Sequence, residues 1–318
     1  CAYFPYVISY TASSPVPRWQ VEKYGLSWTD AEYCVSNSAF RLDEWVSGKY
    51  MTFRLNPYYN GNNPAYLRKI VRLFSGTAGT GSASGGVGIL PYENGEVDLV
   101  GVGETADIAR IKKDPVLNKE LWRYNGKTTT YLFFRTQEPP FHDVRVRKAI
   151  AQAIDKKTMA EVLFKDTVLP AYTMRPPSFS GSSGDKYQHL QQHNPTEARR
   201  LMAEAGFPDG QGFPSVELWL RDMSTASQGG QAAQVIQQQL RDILGIRIHI
   251  RNTQTNTFNQ LMHEWKIPMG MVGYGADFPD PQSMLGVPWR SRPRGFTRHD
   301  WTHPRFDELI DTARGETN

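Results

Sequence analysis

Apolar residues follow two different periods in the second half of the chain. Short strand-like runs occur at residues 216–220, 246–250 and 269–274, and the middle run alternates apolar with polar positions. Helical spacing, with apolar residues every three or four positions, follows Asp143 and returns at 195–205, 231–244 and 257–265. Helices and strands that alternate in this way predict an α/β layer from residue 143 onward.

Local signals mark where these helices begin and end. Asp143 and Asn194 are capping residues, and Asn194 is followed by a proline at the first helical position and a glutamate three residues after the cap. Gly206 and Gly245 each follow the last apolar position of a helical segment. Because glycine adopts the left-handed conformation that ends many helices, we expect both helices to stop there.

The first half of the chain is richer in turns and short strands. Residues 35–55 predict a hairpin with its turn at 46–49, and further strands are predicted at 69–74, 97–100 and 131–134. The glycine-rich tract at 75–88 has two interpretations, a flexible surface loop or a phosphate-binding loop. A phosphate loop follows the pattern GxxxxGK[ST], and no lysine follows these glycines, which favours the surface loop.

Composition places the chain among globular proteins of two domains. Its 318 residues and 36.1 kDa exceed what one hydrophobic core usually organises. The 39% hydrophobic and 21% charged residues argue against a disordered chain. A net charge of +4 is too small to predict a nucleic-acid partner. The 15 Tyr, 15 Phe and 8 Trp suit a protein that encloses a ligand.

Cys1 and Cys34 are the two cysteines of the chain, and their relation is left open. A disulfide between them would contribute about 3 kcal/mol and would indicate an oxidising compartment. Two unrelated buried thiols are the alternative. Two cysteines alone do not complete a four-ligand zinc site, and the sequence contains no CxxC motif.

Both ends of the sequence resemble the interior of a longer protein. The chain starts with Cys1 and an aromatic segment that has the composition of a buried interior. It stops directly after the helical pattern of residues 306–313. We therefore expect an internal piece of a longer chain. The alternative, a lipidated first cysteine, fits poorly because lipoprotein tethers are usually polar.

Motifs that carry catalysis are absent from the sequence. It contains no GxSxG, HExxH or GxGxxG pattern, so no catalytic residue and no cofactor are predicted. Two HxxxH pairs and one pair of neighbouring carboxylates remain as candidates: His189/His193, His299/His303 and Asp277/Asp280. Zinc needs three or four ligands and neither histidine pair has an evident third, so no metal is predicted. A metal-dependent hydrolase using the HxxxH pairs stays as the alternative from another class. The prolines beside Asp277 and Asp280 favour a loop over acid–base chemistry.

Six segments, taken together, resemble one protein family. These are NSAFRLDEW (37–45), LNPYY (55–59), NGEVD (94–98), PPFHDVRVRKA (139–149), AEAGFPDG (203–210) and GYGADFPDP (273–281). They are similar, in order, to stretches of the extracytoplasmic solute-binding proteins for oligopeptides, dipeptides and nickel that serve ABC importers. The sequence departs from the family at Arg135, where many members have Asn, at Ser38-Ala39, and at the glycine tract.

The resemblance implies an α/β fold of the two-lobed, Venus-flytrap type, with mixed sheets flanked by helices and incomplete at both ends. It implies that residues 1–126 form the later part of lobe I, that 127–318 form lobe II, and that a hinge lies near 126–131. It also implies an extracytoplasmic location, either periplasmic or lipid-anchored.

The resemblance further implies a function and a binding site. The expected function is that of a monomeric receptor that captures short peptides between its lobes and delivers them to the permease of an ABC importer. Asp277 is expected to hold the α-ammonium group of the peptide, Tyr274 to line the cavity, and the backbone at Gly275 and Ala276 to bond the extended ligand. Asp277 as a turn residue before Pro279 is the alternative, and an oligosaccharide is the alternative ligand.

Overall fold

The computed structural model describes residues 3–10, 13–74, 89–103, 105–179, 182, 184–223, 227–295 and 298–316. The chain divides into two compact units, Ala12–Leu121 and a larger unit of Cys1–Thr11 with Trp122–Asn318. The sequence predicts a single boundary at residue 126, with residues 1–11 in the same part as the residues that follow them. In the structure, residues 1–11 belong instead to the unit that contains Trp122–Asn318. The assignment of either unit to a lobe stays a prediction.

The smaller unit is built on a three-stranded antiparallel sheet. Helix α1 (Phe4–Ile8) belongs to the larger unit; the smaller one begins with α2 (Arg18–Tyr24) and a 3₁₀ turn (Gly25–Thr29). Its strands, in the spatial order β1-β2-β3, are β1 (Phe40–Val46), β2 (Tyr50–Leu55) and β3 (Lys69–Leu73). Three short helices follow, α3 (Leu90–Glu93), α4 (Thr105–Ile111) and α5 (Leu117–Glu120). The predicted hairpin at 35–55 and the strand at 69–74 are confirmed.

The strand predicted at 97–100 is wrong, because these residues have no regular structure. The backbone N–H of Val97 donates to the Pro91 carbonyl at 3.3 Å, within the turn that closes α3, and Leu99 is 90% exposed. An isolated short apolar run needs a neighbouring strand to form a sheet, and no described strand pairs with residues 97–100. The glycine tract at 75–88 lies outside the described residues.

The larger unit contains a mixed four-stranded sheet in the order β4-β7-β5-β6. Its strands are β4 (Thr128–Phe134), β5 (Val216–Arg221), β6 (Ile248–Thr253) and β7 (Met269–Gly275). Strand β7 is antiparallel to β4 and parallel to β5, which is also parallel to β6. All four strands match strands predicted from the sequence.

Helices cover both faces of this sheet. The helices are α6 (Val144–Ala153), α7 (Lys156–Thr158) continued by a π turn (Met159–Leu163), a 3₁₀ turn (Gly184–Tyr187), α8 (Gln188–Gln191), α9 (Pro195–Glu204), α10 (Gln228–Leu244), α11 (Thr255–His263), α12 (Pro281–Trp289) and α13 (Pro304–Gly315). The main core lies where α6, α9 and α10 meet one face, around Ile150, Met202 and Leu240. A second core on the other face packs Phe258 and Met262 of α11. None of the described helices has the length and apolar character needed to cross a membrane.

The predicted helix ends are confirmed. Asp143 accepts the N–H of Arg145, Asn194 accepts the N–H of Glu197, and Gly245 ends α10 with a φ of +69°. The loop predicted at Asp277 and Asp280 is confirmed at residues 276–280, whereas helix α12, which begins directly after it, is not among the predicted helices. Asp280 caps this helix and Pro281 occupies its first position, where proline has no hydrogen bond to lose.

Arg135, which departs from the family pattern, belongs to a buried polar cluster around Asp300. The Asp300 side chain accepts hydrogen bonds from Arg135 Nε at 2.9 Å, the Thr136 N–H at 2.7 Å and hydroxyl at 3.0 Å, and the Gln137 N–H at 3.2 Å. Burial by itself raises the pKa of Asp300, but these hydrogen bonds outweigh it and lower the pKa below its usual value. The cluster ties the end of β4 to the segment before α13.

Lys156 is a second partly buried charge in this unit. Its Nζ donates to the carbonyls of Ala151 at 3.3 Å and Gln191 at 2.6 Å, and it lies 5.4 Å from the centre of the Tyr172 ring. Burial lowers the pKa of Lys156 from 10.5 to about 8, because the charged form loses solvation.

Lys156 is therefore expected to make the stability of the fold depend on alkaline pH. Its pKa is lower in the folded than in the unfolded chain, so between about pH 8 and pH 10 the unfolded chain binds more protons. The free energy of unfolding of the wild type should rise over this range relative to Lys156→Met, as measured by urea titration at pH 7.5 and 9.5. Lys157→Met, at an exposed neighbour, is the control and should show no such difference. Equal pH dependence in wild type and Lys156→Met would contradict the prediction.

Candidate functional site

The predicted site lies where β7 ends and the chain turns into α12. Tyr274 and Gly275 are the last two residues of β7, and the loop from Ala276 leads to the helix cap at Asp280. The backbone N–H of Asp277 donates to the hydroxyl of Ser283 at 2.9 Å, and Ser283 is fully buried in the first turn of α12. The helix thus fixes the backbone of the loop, and the Asp277 side chain is exposed.

Two tyrosine hydroxyls flank the Asp277 carboxylate. The Tyr274 hydroxyl lies 3.4 Å from Oδ2 and the Tyr10 hydroxyl lies 3.5 Å from Oδ1. These are long, weak hydrogen bonds, so the carboxylate keeps acceptor capacity for a further donor. An exposed carboxylate with one weak neutral donor on each oxygen can receive a cationic group without first breaking an ion pair.

Tyr274 is held firmly beneath this carboxylate. It is 6% exposed and packs with Phe179 and Met284 in a small core of its own. Burial, and then the negative charge of Asp277, raise the pKa of Tyr274 to about 12. The Tyr274 hydroxyl therefore stays protonated near neutral pH and donates to Asp277.

The antiparallel ladder of β4 and β7 sets the direction of the backbone groups at the site. The Ala276 N–H donates to the Lys127 carbonyl at 3.0 Å, which makes these two residues a hydrogen-bonded pair. Bonded and non-bonded pairs alternate along an antiparallel ladder, so the next pair, Thr128 with Gly275, is non-bonded. The N–H and C=O of Gly275 therefore point away from β4, whereas the N–H of Ala276 is already used inside the protein.

Strand β5 lies on that other side of β7, but its pairing stops short of the site. The paired residues run from Leu218 with Met269 to Leu220 with Met271. Gly273 and Gly275 come later in β7 and lie beyond this pairing. The backbone groups of these two glycines that face away from β4 therefore point into the space beside β7 that β5 does not fill.

The sequence predicts a site of Asp277, Tyr274, Gly275 and Ala276, and these four are adjacent at the end of β7. The structure adds residues that no motif marks. Tyr10 comes from the start of the chain, and Tyr3 stacks on Phe278 with ring centres 5.5 Å apart. The aromatic start of the chain, whose composition suggests buried interior, has exposed Phe4 and Tyr6 side chains. An isolated tyrosine carries no sequence signal for a contact with a residue so far along the chain.

The histidine pairs do not come together with further ligands in the part of the chain that the structure describes. His189 and His193 are exposed, and His303 Nδ1 accepts the N–H of Phe306 as the cap of α13. His299 is buried against the Trp289 ring at 4.3 Å, and burial lowers its pKa to about 4. Among the described residues, no group of three or more His, Cys, Asp and Glu side chains is placed to hold a metal ion.

Cys34 is half-buried, and burial raises the pKa of its thiol. Cys1 lies outside the described residues.

Comparison with known proteins decides the family. The family model for the bacterial extracellular solute-binding proteins, family 5 (Middle), matches residues 1–296. The chain belongs to family 5. This membership confirms the predicted resemblance, and family 5 is a family of solute-binding proteins and not of enzymes.

Curated relatives align with nearly the whole chain. The periplasmic oligopeptide-binding protein OppA of Salmonella typhimurium is 27% identical over 326 residues, which cover 99% of this chain and 57% of the relative. The probable deoxycholate-binding periplasmic protein YgiS of Escherichia coli is 27% identical over 315 residues, with 98% and 56% covered. The chain thus spans little more than half the length of these family 5 relatives.

Solved structures confirm the predicted fold class. The Escherichia coli murein tripeptide binding protein MppA superposes with a TM-score of 0.76 at 21% identity, covering 100% of this chain and 60% of that one. The Helicobacter pylori periplasmic binding protein DppA, in complex with the peptide STSA, also gives 0.76, at 19% identity and with 100% and 59% covered. At these identities the likeness establishes the family 5 fold alone.

Proposed function

We propose that this chain is part of the substrate-binding receptor of an ABC importer and that it captures short peptides. The observation that carries the proposal is the Asp277 carboxylate, exposed at the end of β7 and flanked by two tyrosine hydroxyls. A peptide with a free α-ammonium group can form a charge-assisted hydrogen bond with it. Several family 5 relatives are named as oligopeptide- or dipeptide-binding proteins, which supports this ligand class.

The backbone of β7 is the second part of the proposed peptide-binding site. An extended peptide whose ammonium group lies at Asp277 runs alongside Gly275, whose N–H and C=O point away from β4. Hydrogen bonds to main-chain groups do not depend on the ligand side chains, so they hold peptides of varied sequence. Together the carboxylate and the strand fix the polarity and the register of the ligand.

The remaining parts of the proposal concern the whole protein. The receptor acts outside the cytoplasm, in the periplasm or on a lipid anchor, as a monomer that closes around its ligand by a hinge near residues 126–131. It delivers the peptide to the permease subunits of the importer. Capture and delivery of a peptide need no chemical step, so the proposal assigns no catalytic residue.

A solute without an ammonium group is the second candidate. The relative YgiS is named as a probable deoxycholate-binding protein, so family 5 membership alone does not fix the ligand class. The oligosaccharide alternative relies on open aromatic faces for stacking on sugar rings. The Tyr274 ring fits that role poorly, because it is buried and carries the guanidinium of Arg298 on one face.

Native mass spectrometry separates these candidates because it gives the mass of whatever ligand leaves the protein. Protein purified from cells should release a mixture of masses that fit short peptides when it is gently unfolded. Release of a single sugar or sterol-like mass would contradict peptide capture.

Substitution of Asp277 by asparagine tests the proposed role of the carboxylate. Asp277→Asn is expected to weaken binding of a tripeptide about 10- to 100-fold, because a hydrogen bond to a charged group contributes about 1.5–3 kcal/mol. Isothermal titration calorimetry gives the dissociation constants. Asp280→Asn is the matched control, since it removes the same charge three residues away and asparagine also caps helices well. Equal affinities of the two variants would rule out Asp277 as the ammonium site.

A further inference from the structure

A pocket of about 340 Å³ lies beside β4 in the larger unit. Its walls include apolar side chains from three parts of the chain: Leu132 and Phe134 of β4, Leu285 and Trp289 of α12, and Phe306 of α13 with Trp301 shortly before it. Phe134 pairs with Met269 at one end of the β4–β7 ladder, whereas Gly275 of the candidate site lies at the other end, about 20 Å away along the strand. These wall side chains are half-buried, so the pocket is open to solvent and a ligand can enter it.

Contacts among aromatic rings hold one wall of the pocket in place. The Trp289 ring stacks on the buried His299 ring, with centres 4.3 Å apart, and contacts the Trp301 ring edge-to-face at 6.4 Å. Trp301 also packs edge-to-face against Phe306, at 5.3 Å. Aromatic rings attract one another in offset-stacked and edge-to-face arrangements, so a wall of rings that are already fixed favours a flat aromatic ligand.

The volume of the pocket limits the size of that ligand. Apolar cavities of about 150 Å³ bind benzene, and sites for drug-sized ligands have volumes of about 300–1,000 Å³. A pocket of about 340 Å³ therefore suits a molecule larger than benzene but still small, such as an indole ring with a short side chain.

Arg147 gives the pocket a positive charge. Among the described residues that line it, Arg147 alone is ionised near neutral pH, because burial lowers the pKa of His299 to about 4. Arg147 Nη1 donates to the backbone carbonyls of Phe141 and His142, the latter at 3.1 Å. These neutral acceptors fix the side chain, and a guanidinium has more N–H groups than the two bonds use. Arg147 therefore keeps donors for an anion.

The described lining of the pocket contains no carboxylate that would compete with such an anion. The carboxylates that act on Arg147 from nearby each have another arginine as partner, namely Asp143 with Arg145 at 2.6 Å and Asp300 with Arg135 at 2.9 Å. Trp289 adds a neutral donor, because its buried Nε1–H has no acceptor among the described residues. The charge and the free donors of the lining thus complement a negatively charged group.

We propose that this pocket is a second binding site, for a small aromatic carboxylate, separate from the candidate peptide site at Asp277. The ring of the ligand packs against Trp289, Trp301 and Phe306, and its carboxylate pairs with Arg147. Binding of such an acid uses neither Asp277 nor the backbone of β7, so it can be tested independently of peptide capture.

Indole-3-acetate and indole-3-acetamide test the proposal, because they share one ring system and differ in charge. In isothermal titration calorimetry the wild type should bind the acid at least about 10-fold more tightly than the amide, since a hydrogen bond between charged groups is stronger than a neutral one. In Arg147→Gln the difference should fall below about 3-fold. Lys148→Gln, at the exposed next position of α6, removes the same charge and should keep the full difference. Trp301→Leu should weaken both ligands alike, because a ring contact is lost.

Nuclear magnetic resonance locates the ligand in the wild-type protein. The chain has 8 tryptophans, whose side-chain N–H signals are assigned by single Trp→Phe substitutions. Indole-3-acetate should shift the signals of Trp289 and Trp301 and leave that of Trp122, which is 90% exposed, unchanged. This measurement, together with the wild-type preference for the acid, decides the proposal if thermal unfolding shows that Arg147→Gln does not fold.

Three results would overturn the proposal. Equal affinity of the wild type for the acid and the amide would mean that Arg147 does not bind the carboxylate. Shifts confined to tryptophans other than Trp289 and Trp301 would place the ligand elsewhere on the protein. Failure of both ligands to bind would show that the pocket is not a site for small aromatic acids. None of these results bears on the binding of peptides at Asp277.

Discussion

Replacing Asp300 by alanine is expected to lower the free energy of unfolding by about 3–5 kcal/mol. The carboxylate is 2% exposed and accepts hydrogen bonds from Arg135, Thr136 and Gln137. Its removal leaves two backbone N–H groups without their acceptor and the largely buried Arg135 with an unbalanced charge. Glu138 also pairs with Arg135, but from an exposed position where it compensates little. Urea titration followed by circular dichroism measures the loss.

Two further variants test whether the burial and the charge of Asp300 cause this loss of stability. Asp311→Ala removes another aspartate that pairs with an arginine, Arg290, but at an exposed position, and should cost less than about 1 kcal/mol. Asp300→Asn keeps the shape and one acceptor oxygen but removes the charge, so its effect should lie between the other two. If Asp300→Ala destabilises no more than Asp311→Ala, the cluster does not hold the end of β4.

The same carboxylate predicts an acid dependence of stability. The pKa of Asp300 is lower in the folded than in the unfolded chain, so its contribution is fully present above the ordinary aspartate pKa near 4. The contribution disappears as the pH falls through the lower folded value. The difference in stability between wild type and Asp300→Asn should therefore shrink below about pH 4.

Features set by neighbouring residues were predictable from the sequence. The four strands of the larger unit, the caps at Asp143 and Asn194 and the stop at Gly245 each depend on a spacing or a residue type within one element. The candidate site at Tyr274 to Asp277 stays a prediction, and the sequence suggests it because a family motif covers these residues without a gap. Such signals are local, and local signals survive folding when nothing distant opposes them.

Features that depend on distant partners were not predictable. Residues 97–100 have strand-like composition, but a strand also needs a neighbour in its sheet, and none of the described strands pairs with them. Tyr10 and Arg298 reach the site from opposite ends of the chain. The sequence marks Arg135 only as a departure from the family pattern, and the structure shows its contact with Asp300. A pairwise contact between remote residues leaves no mark in one sequence.

Gly245 combines a local signal with a distant contact, and its replacement by alanine should be costly for both reasons. Its φ of +69° is a left-handed conformation, which costs an alanine about 1 kcal/mol. An alanine Cβ at this position would also overlap the backbone carbonyl of Asp209, in the turn after α9. Since backbone cannot rotate away as a side chain can, we expect a total loss of about 3 kcal/mol or more in the free energy of unfolding.

Gly212→Ala separates the two contributions to this loss. Gly212 has a φ of +74°, close to that of Gly245, but a Cβ there would meet no atom within 4 Å. It should therefore show the conformational penalty alone, about 1 kcal/mol. The difference between the two variants in urea titration measures the tight approach of the turn after α9 to the end of α10. Equal losses would mean that Gly245 is needed for its backbone conformation alone, and that the contact with Asp209 yields at little cost.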